Sequence, residues 1–194
     1  MQRAIVLAGF GGQGILFAGM LLAYAGMDTG KHVTWIPSYG PEMRGGSSYV
    51  IVVVSDEEIG SPVVRHPDAA VVLNAPSMQK YEQLVKAGGT LVYNSSLISD
   101  PPQRADIHYL AVPVNQIASE LGDVRIANMV ALGALVAATR VLPLPSLVQA
   151  LEQHLPASKR AMLEPNRHAL QRGAELAEGA NDGVDDRHTR SGRS

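Results

Sequence analysis

Gly9, Gly11 and Gly14 stand at the spacing G-x-G-x-x-G within AGFGGQGI, residues 8–15. An apolar run, Ala4–Ala8, precedes them, and a helix-like run, Ile15–Met27, follows. In that setting the motif has a mechanism. Glycines permit a strand-to-helix turn and a close approach of the backbone to a ligand, and the helix N-terminus attracts an anion. Gly12 lies inside the turn, and Gln13 adds a side-chain donor at the helix start. A dinucleotide site also needs an acid at the end of the next strand to hold the ribose hydroxyls. That strand ends in TWIPSYGPE, residues 34–42, with Ser38 and Tyr39 where the acid should lie. Asp28 has the textual spacing of about 20 residues after the first glycine, yet it precedes the strand. The turn therefore reads equally as packing or as a generic anion site, and not as half of an NAD site. GMDTGKH, residues 26–32, lacks the Ser or Thr that a P-loop places after its Lys, which excludes ATP hydrolysis there.

A second candidate is the loop PSYGPEMRGGSS, Pro37–Ser48. Arg44, followed by Gly45 and Gly46, can bring a planar five-donor group and bare backbone N–H groups to a phosphate or carboxylate. Glu42 can orient Arg44 or meet a partner's base. An isolated Arg–Glu pair more often just fixes a solvated loop. The density of glycine and proline through Ser38, Tyr39, Gly40 and Pro41 tilts the reading to a binding loop. Asn74, Ser77, Asn94 and Ser95 each follow a strand-like run, where an open α/β sheet places its ligand crevice. Each alone is better explained as a helix or turn cap, and only the coincidence of two such strand ends speaks for a crevice.

Other chemistry finds no footing. The histidines at 32, 66, 108, 154, 168 and 188 have no partner at metal-ligand spacing. No serine lies in a nucleophile elbow, and no carboxylate pair is spaced for acid–base work. No catalytic or metal-binding residue is assigned. Asn128, inside the apolar IANMVALGAL, needs partners if buried and reads as a satisfied core or interface amide.

The elements that must position these residues alternate. Strand-like runs cover Arg3–Ala8, His32–Ile36, Ser47–Ser55, Ala69–Asn74, Thr90–Asn94 and Ile107–Val112. Helical patterns cover Ile15–Met27 and Pro76–Lys86 between them. This predicts a three-layer, Rossmann-like α/β domain with a mostly parallel sheet. Only Pro37–Gly46 separates the second and third strands, too short for a parallel crossover with a helix, so that pair is expected antiparallel and the sheet mixed. After Pro113 a helical C-terminal segment is expected: Asn115–Leu121, Ile126–Arg140, Ser146–His154 and Lys159–Glu178. Residues 1–178 would form one domain, and the polar 179–194 a disordered tail.

Composition narrows the function. Charges are scattered with a net of −2 and aromatics make up only 5%, which argues against a nucleic-acid surface. The absence of cysteine excludes disulfides, thiol catalysis and thiolate-held iron–sulfur clusters in this chain. Met1-Gln2-Arg3 leads straight into a strand-like run, and Ile126–Leu142 is too short to span a bilayer. A cytoplasmic location away from membranes is expected.

Taken in order, GFGGQGI, SYGPEMRGGSS, VSDEEIGSP, NAPSMQKYE, GGTLVYNSSLI and ANMVALGAL resemble one family. It is the gamma subunit, or gamma domain, of the thiamine-diphosphate-dependent 2-oxoacid:ferredoxin oxidoreductases. The likeness runs from Arg3 to Gly173, and PEMRGG following GxGGQG is a specific combination. NAPS and NSSLI most resemble the 2-oxoglutarate and branched-chain members. The resemblance implies a complex that converts a 2-oxoacid and coenzyme A into acyl-CoA, CO2 and reduced ferredoxin. Alpha and beta subunits would hold thiamine diphosphate and Mg2+, and a ferredoxin-like delta subunit would carry iron–sulfur clusters. This chain would bind none of these alone; it would support assembly, close the active-site region and contact coenzyme A. The alternative is a stand-alone Rossmann-like nucleotide-binding protein using the Gly9–Gly14 turn.

Overall fold

The computed structural model describes residues 1–38, 47–99 and 102–190, with side chains for all of these except Ser47 and residues 181–190. Six strands form one sheet: β1 (Gln2–Phe10), β2 (His32–Ser38), β3 (Ser47–Ser55), β4 (Ala69–Val72), β5 (Thr90–Asn94) and β6 (His108–Val112). Their order is β2-β3-β1-β4-β5-β6. β1, β4, β5 and β6 pair in parallel, while β3 runs antiparallel to both β1 and β2. The mixed, mostly parallel sheet and its antiparallel second and third strands are as expected. β1 is central and buried on both faces from Ala4 to Ala8, which is why it reads as a continuous apolar run instead of an alternating one.

Odd-numbered β1 residues Ile5 and Leu7 face one core, with Val50, Val52 and Val54 of β3 and Val71 of β4. Helices α1 (Ile15–Asp28), α3 (Val114–Glu120), α4 (Ala127–Thr139), α5 (Leu144–His154) and α6 (Leu163–Arg190) contribute to that core. Even-numbered Val6 and Ala8 face a smaller core under α2 (Ala75–Glu82), through Met78 and Tyr81. Helices thus cover both faces of the sheet.

α4 is apolar all round because it is buried all round, from Asn128 to Val136. It touches α6 backbone to backbone. A Cβ on Gly133 would lie 2.0 Å from the Leu170 carbonyl oxygen, and one on Gly173 1.9 Å from that of Val130. Only glycine at both positions lets these helices approach so closely.

Several boundaries differ from the sequence reading. α2 ends at Glu82, and the Arg104 guanidinium donates to the Glu82 carbonyl at that end and to the Val85 carbonyl just beyond it. α5 begins at Leu144, with Pro145 inside its first turn, where a proline sacrifices no hydrogen bond. The expected helix from Lys159 begins as a 3-10 turn, Ala157–Met162, and becomes α6 at Leu163. α6 then continues past Glu178 to Arg190, and its last buried described residue is Ala177.

Candidate functional site

The C-terminal ends of β1, β4, β5 and β6 lie together by their parallel registers, and the glycine turn emerges there. Gly9 follows Ala8, which pairs with Val72, and Val72 pairs with Tyr93 next to Asn94. A Cβ on Gly9 would fall 2.6 Å from Gln13 Oε1 and 3.3 Å from Leu73 Cβ, so the strand end admits nothing larger. Gly14 caps α1 in the left-handed region, with φ of 72°, and a Cβ there would meet Asn128 Nδ2 at 2.4 Å. Gly11 and Gly12 face open space.

Carboxamides bind this corner together. Gln13 Oε1 accepts from the Phe10 N–H at 2.6 Å, and Gln13 Nε2 donates to the Leu73 carbonyl at 3.4 Å. Asn94 Nδ2 donates to the same carbonyl at 3.3 Å and to Asn115 Oδ1 at 2.8 Å. Asn94 Oδ1 accepts from the Ser96 N–H. From the helical layer, Asn128 Nδ2 donates to the Gly14 carbonyl at 2.9 Å. Three strand ends and α4 are thereby tied by side-chain amides that bond mostly to backbone.

The expected site residues divide accordingly. Gly9, Gly11, Gly12, Gln13, Gly14, Asn74, Asn94 and Ser95 come together at the strand ends, and Ser38 ends β2 opposite Tyr49 of β3. Gln13 is folded inward as a clasp, not presented as a donor to a ligand. Asn74 caps α2, accepting from the Ser77 N–H at 2.8 Å, and its Nδ2 is buried without a partner. The Ser95 N–H donates to the Val112 carbonyl, tying β5 to β6. Tyr39, Gly40, Pro41, Glu42, Arg44, Gly45 and Gly46 lie outside the described residues. Asn115 gave no sequence signal at all. Asn128 was visible as an amide in an apolar helix, but its contact with Gly14, 114 positions away, was not.

Among the described residues, the charged groups near this end include Asp123, Arg125 and Lys159. The Arg125 guanidinium hydrogen-bonds Asp123 and holds its carboxyl down at about 2. Phe10, 40% exposed, stands at the tip of the turn. A cavity of about 400 Å3 opens between Gly14, Phe17, Asn128 and Met162, with Arg125 and Lys159 in its lining. Among the described residues no group of three or more His, Cys, Asp or Glu could hold a metal ion. The arrangement can dock and orient; it offers no acid–base pair.

The sequence profile of the pyruvate ferredoxin/flavodoxin oxidoreductase family matches residues 4–176. The chain belongs to that family. Ketoisovalerate oxidoreductase subunit VorA of Methanothermobacter thermautotrophicus is 39% identical over 174 residues, 89% of this chain and 36% of that protein. This chain therefore spans about a third of that relative's length. 2-Oxoglutarate synthase subunit KorC of Methanothermobacter marburgensis is 38% identical over 183 residues, 91% of this chain and 97% of that one. The gamma subunit of a keto/oxoacid ferredoxin oxidoreductase from Geobacter sulfurreducens has the same fold, with a TM-score of 0.80 and 34% identity over 91% of this chain and 99% of that one. A 2-oxoglutarate:ferredoxin oxidoreductase from Magnetococcus marinus, solved with 2-oxoglutarate, coenzyme A and succinyl-CoA bound, gives a TM-score of 0.82 at 26% identity, over 92% of this chain and 31% of that one. The family resemblance read from the motifs is borne out. The stand-alone nucleotide-binding reading gains no support from these relatives.

Proposed function

We propose that this chain serves as the gamma subunit, or gamma domain, of a 2-oxoacid:ferredoxin oxidoreductase that forms acyl-CoA, CO2 and reduced ferredoxin from a 2-oxoacid and coenzyme A. The observation that carries this reading is the family match across residues 4–176, joined to a strand-end site built for docking and not for chemistry. Alpha and beta subunits supply thiamine diphosphate and Mg2+, a ferredoxin-like delta subunit supplies the iron–sulfur clusters, and ferredoxin is the acceptor. The absence of cysteine in this chain accords with electrons travelling through other chains. Gly9, Gly11, Gly12, Gly14, Asn74, Asn94 and Ser95, with the Ser38–Gly46 loop that leaves the same sheet end, form the surface turned to the other subunits and to coenzyme A. The domain occupies residues 1–178, with the polar residues 179–194 as its tail. No helix among the described residues is long and apolar enough to cross a membrane, and the complex works in the cytoplasm.

The test is a gentle purification from the native cells through a tag on this chain. Co-purifying alpha and beta subunits, thiamine diphosphate and iron, with 2-oxoacid-dependent ferredoxin reduction, are expected. A chain recovered alone, without thiamine or iron under conditions that preserve complexes, overturns the reading.

A further inference from the structure

At the opposite end of the molecule from the glycine turn, one residue breaks a rule that the rest of the chain keeps. Six described residues have φ in the left-handed region: Gly12, Gly14, Gly30, Gly88, Gly122 and Arg140. The turns after α1 and α3 use Gly30 and Gly122. The end of α4 uses Arg140 instead, with φ of 52°. A side chain with a Cβ in that conformation costs free energy that glycine avoids, and such outliers point to a use for the side chain.

The guanidinium has a place to act. Arg140 lines a cavity of about 610 Å3 between the ends of α1 and α4 and the start of α5. Its apolar lining is Val136, Ala137, Val141, Leu142 and Leu144, with Thr29 among its polar residues. Among the described residues its charged lining is Arg140, Lys31 and the Met1 N-terminus against Glu178. The N-terminus and Lys31 both pair with Asp56, whereas Arg140 has no side-chain ion pair or hydrogen bond among the described residues. An exposed, unpaired guanidinium at the rim of an aliphatic groove is complementary to a carboxylate carried on an apolar segment.

We propose that this groove docks a segment of a neighbouring subunit that presents aliphatic side chains and one Asp or Glu, with the carboxylate meeting Arg140. The proposal rests on the subunit reading above. It also places a second interface on the face away from the glycine turn, so that the chain is held between partners from both ends.

The discriminating substitution is Arg140→Gly. It keeps the left-handed backbone and relieves its strain while removing the guanidinium. The expected melting temperature of the chain is equal to wild type or higher. In the tagged native complex, the alpha and beta subunits retained at a fixed salt concentration should fall about tenfold or more, as for an interfacial arginine anchor. Arg140→Glu should fall further, through repulsion of the partner's acid. Retention of both subunits by Arg140→Gly at wild-type levels across a salt series overturns the docking proposal and leaves the subunit reading intact. A wild-type chain that never assembles overturns both. Self-association of the purified chain that Arg140→Gly abolishes, or binding of isobutyrate at Arg140 with assembly unaffected, would assign the groove to another occupant and overturn the proposal as well.

Discussion

Replacing Asn128 with Asp isolates the bond that ties the glycine turn to α4. Asn128 is 5% exposed, its Nδ2 donates to the Gly14 carbonyl at 2.9 Å, and its Oδ1 is buried without a partner. An aspartic acid is nearly isosteric. Protonated, its O–H can still donate to Gly14; ionised, it sets a buried carboxylate against a carbonyl oxygen. Burial therefore raises the folded-state pKa above the unfolded value of about 3.9. Between the two values the native state binds more protons than the unfolded chain, so stability falls as pH rises and levels off above the folded pKa. A shift of about two units, modest for so buried a group, costs about 2.7 kcal/mol once ionisation is complete. That is a large part of a typical stability of about 5–15 kcal/mol. Urea unfolding of Asn128→Asp and wild type at pH 4.5 and pH 8 reads the difference. The expected loss is about 1 kcal/mol at pH 4.5, where the acid is largely protonated when folded, and about 3 kcal/mol at pH 8. Equal losses at the two pH values would refute the reasoning, because the penalty would then not come from ionisation against Gly14.

Gly133→Ala would stabilise an isolated helix by about 1 kcal/mol, but here its Cβ meets the Leu170 carbonyl at 2.0 Å. Separating α4 from α6 should invert the sign, to a net loss of about 1–3 kcal/mol in chemical unfolding, and a stabilised protein would disprove the close contact. Burial raises the Asp68 carboxyl, but hydrogen bonds from the Ala4 N–H, Lys86 and Arg3 outweigh it and leave the pKa below the usual value. A depressed acid contributes stability above its unfolded pKa that is lost as pH falls, so Asp68→Asn should cost about 1–3 kcal/mol at pH 7 and progressively less below about pH 4. Gln13→Glu keeps the acceptor for Phe10 and gives up the long bond to Leu73, while its charge suits the α1 N-terminus; melting should change little, and turnover of the assembled complex should drop if an anion sits on the turn. Ending the chain after Glu178 should leave the melting temperature unchanged, since no described residue of α6 beyond Ala177 is buried.

Much of the frame was legible because local patterns carried it. β3 is buried from Val52 to Val54 and reads as a strand from Ser47 to Ser55 on its β-branched content alone. The short Pro37–Gly46 link required an antiparallel pair, and the pair is antiparallel. What was not legible depends on residues distant in the chain. Arg104 satisfies the end carbonyl of α2 from outside the helix, and the first turn of α5 accepts a proline that looked like a boundary. The site shows the same split. The glycine spacing marked the turn, but the partners that decide its role, Asn94 and Asn128, come from elements whose placement only the sheet order and helix packing determine.

Those partners also account for a nucleotide-like turn in a chain with no complete nucleotide site. A phosphate-binding turn keeps its backbone N–H groups free for the anion. Here the Phe10 N–H is taken by Gln13, and Gln13's other end is spent on the strand end at Leu73. The Gly14 carbonyl is taken by Asn128. These carboxamides fix both ends of the turn, at Phe10 and at Gly14, so the turn is held before anything binds. Rigidity of that kind suits a surface that must present a fixed shape to another molecule, because ordering has already occurred and association need not supply it. The exposed Phe10 ring at the tip is what the clasp holds in place. The same economy appears at the far end, where Arg140 is kept in a strained backbone to hold a guanidinium over an aliphatic groove. Only the Arg140 end carries a backbone cost, since the left-handed residues of the turn at Phe10 are glycines, so a use for the side chain is called for there and not at the turn.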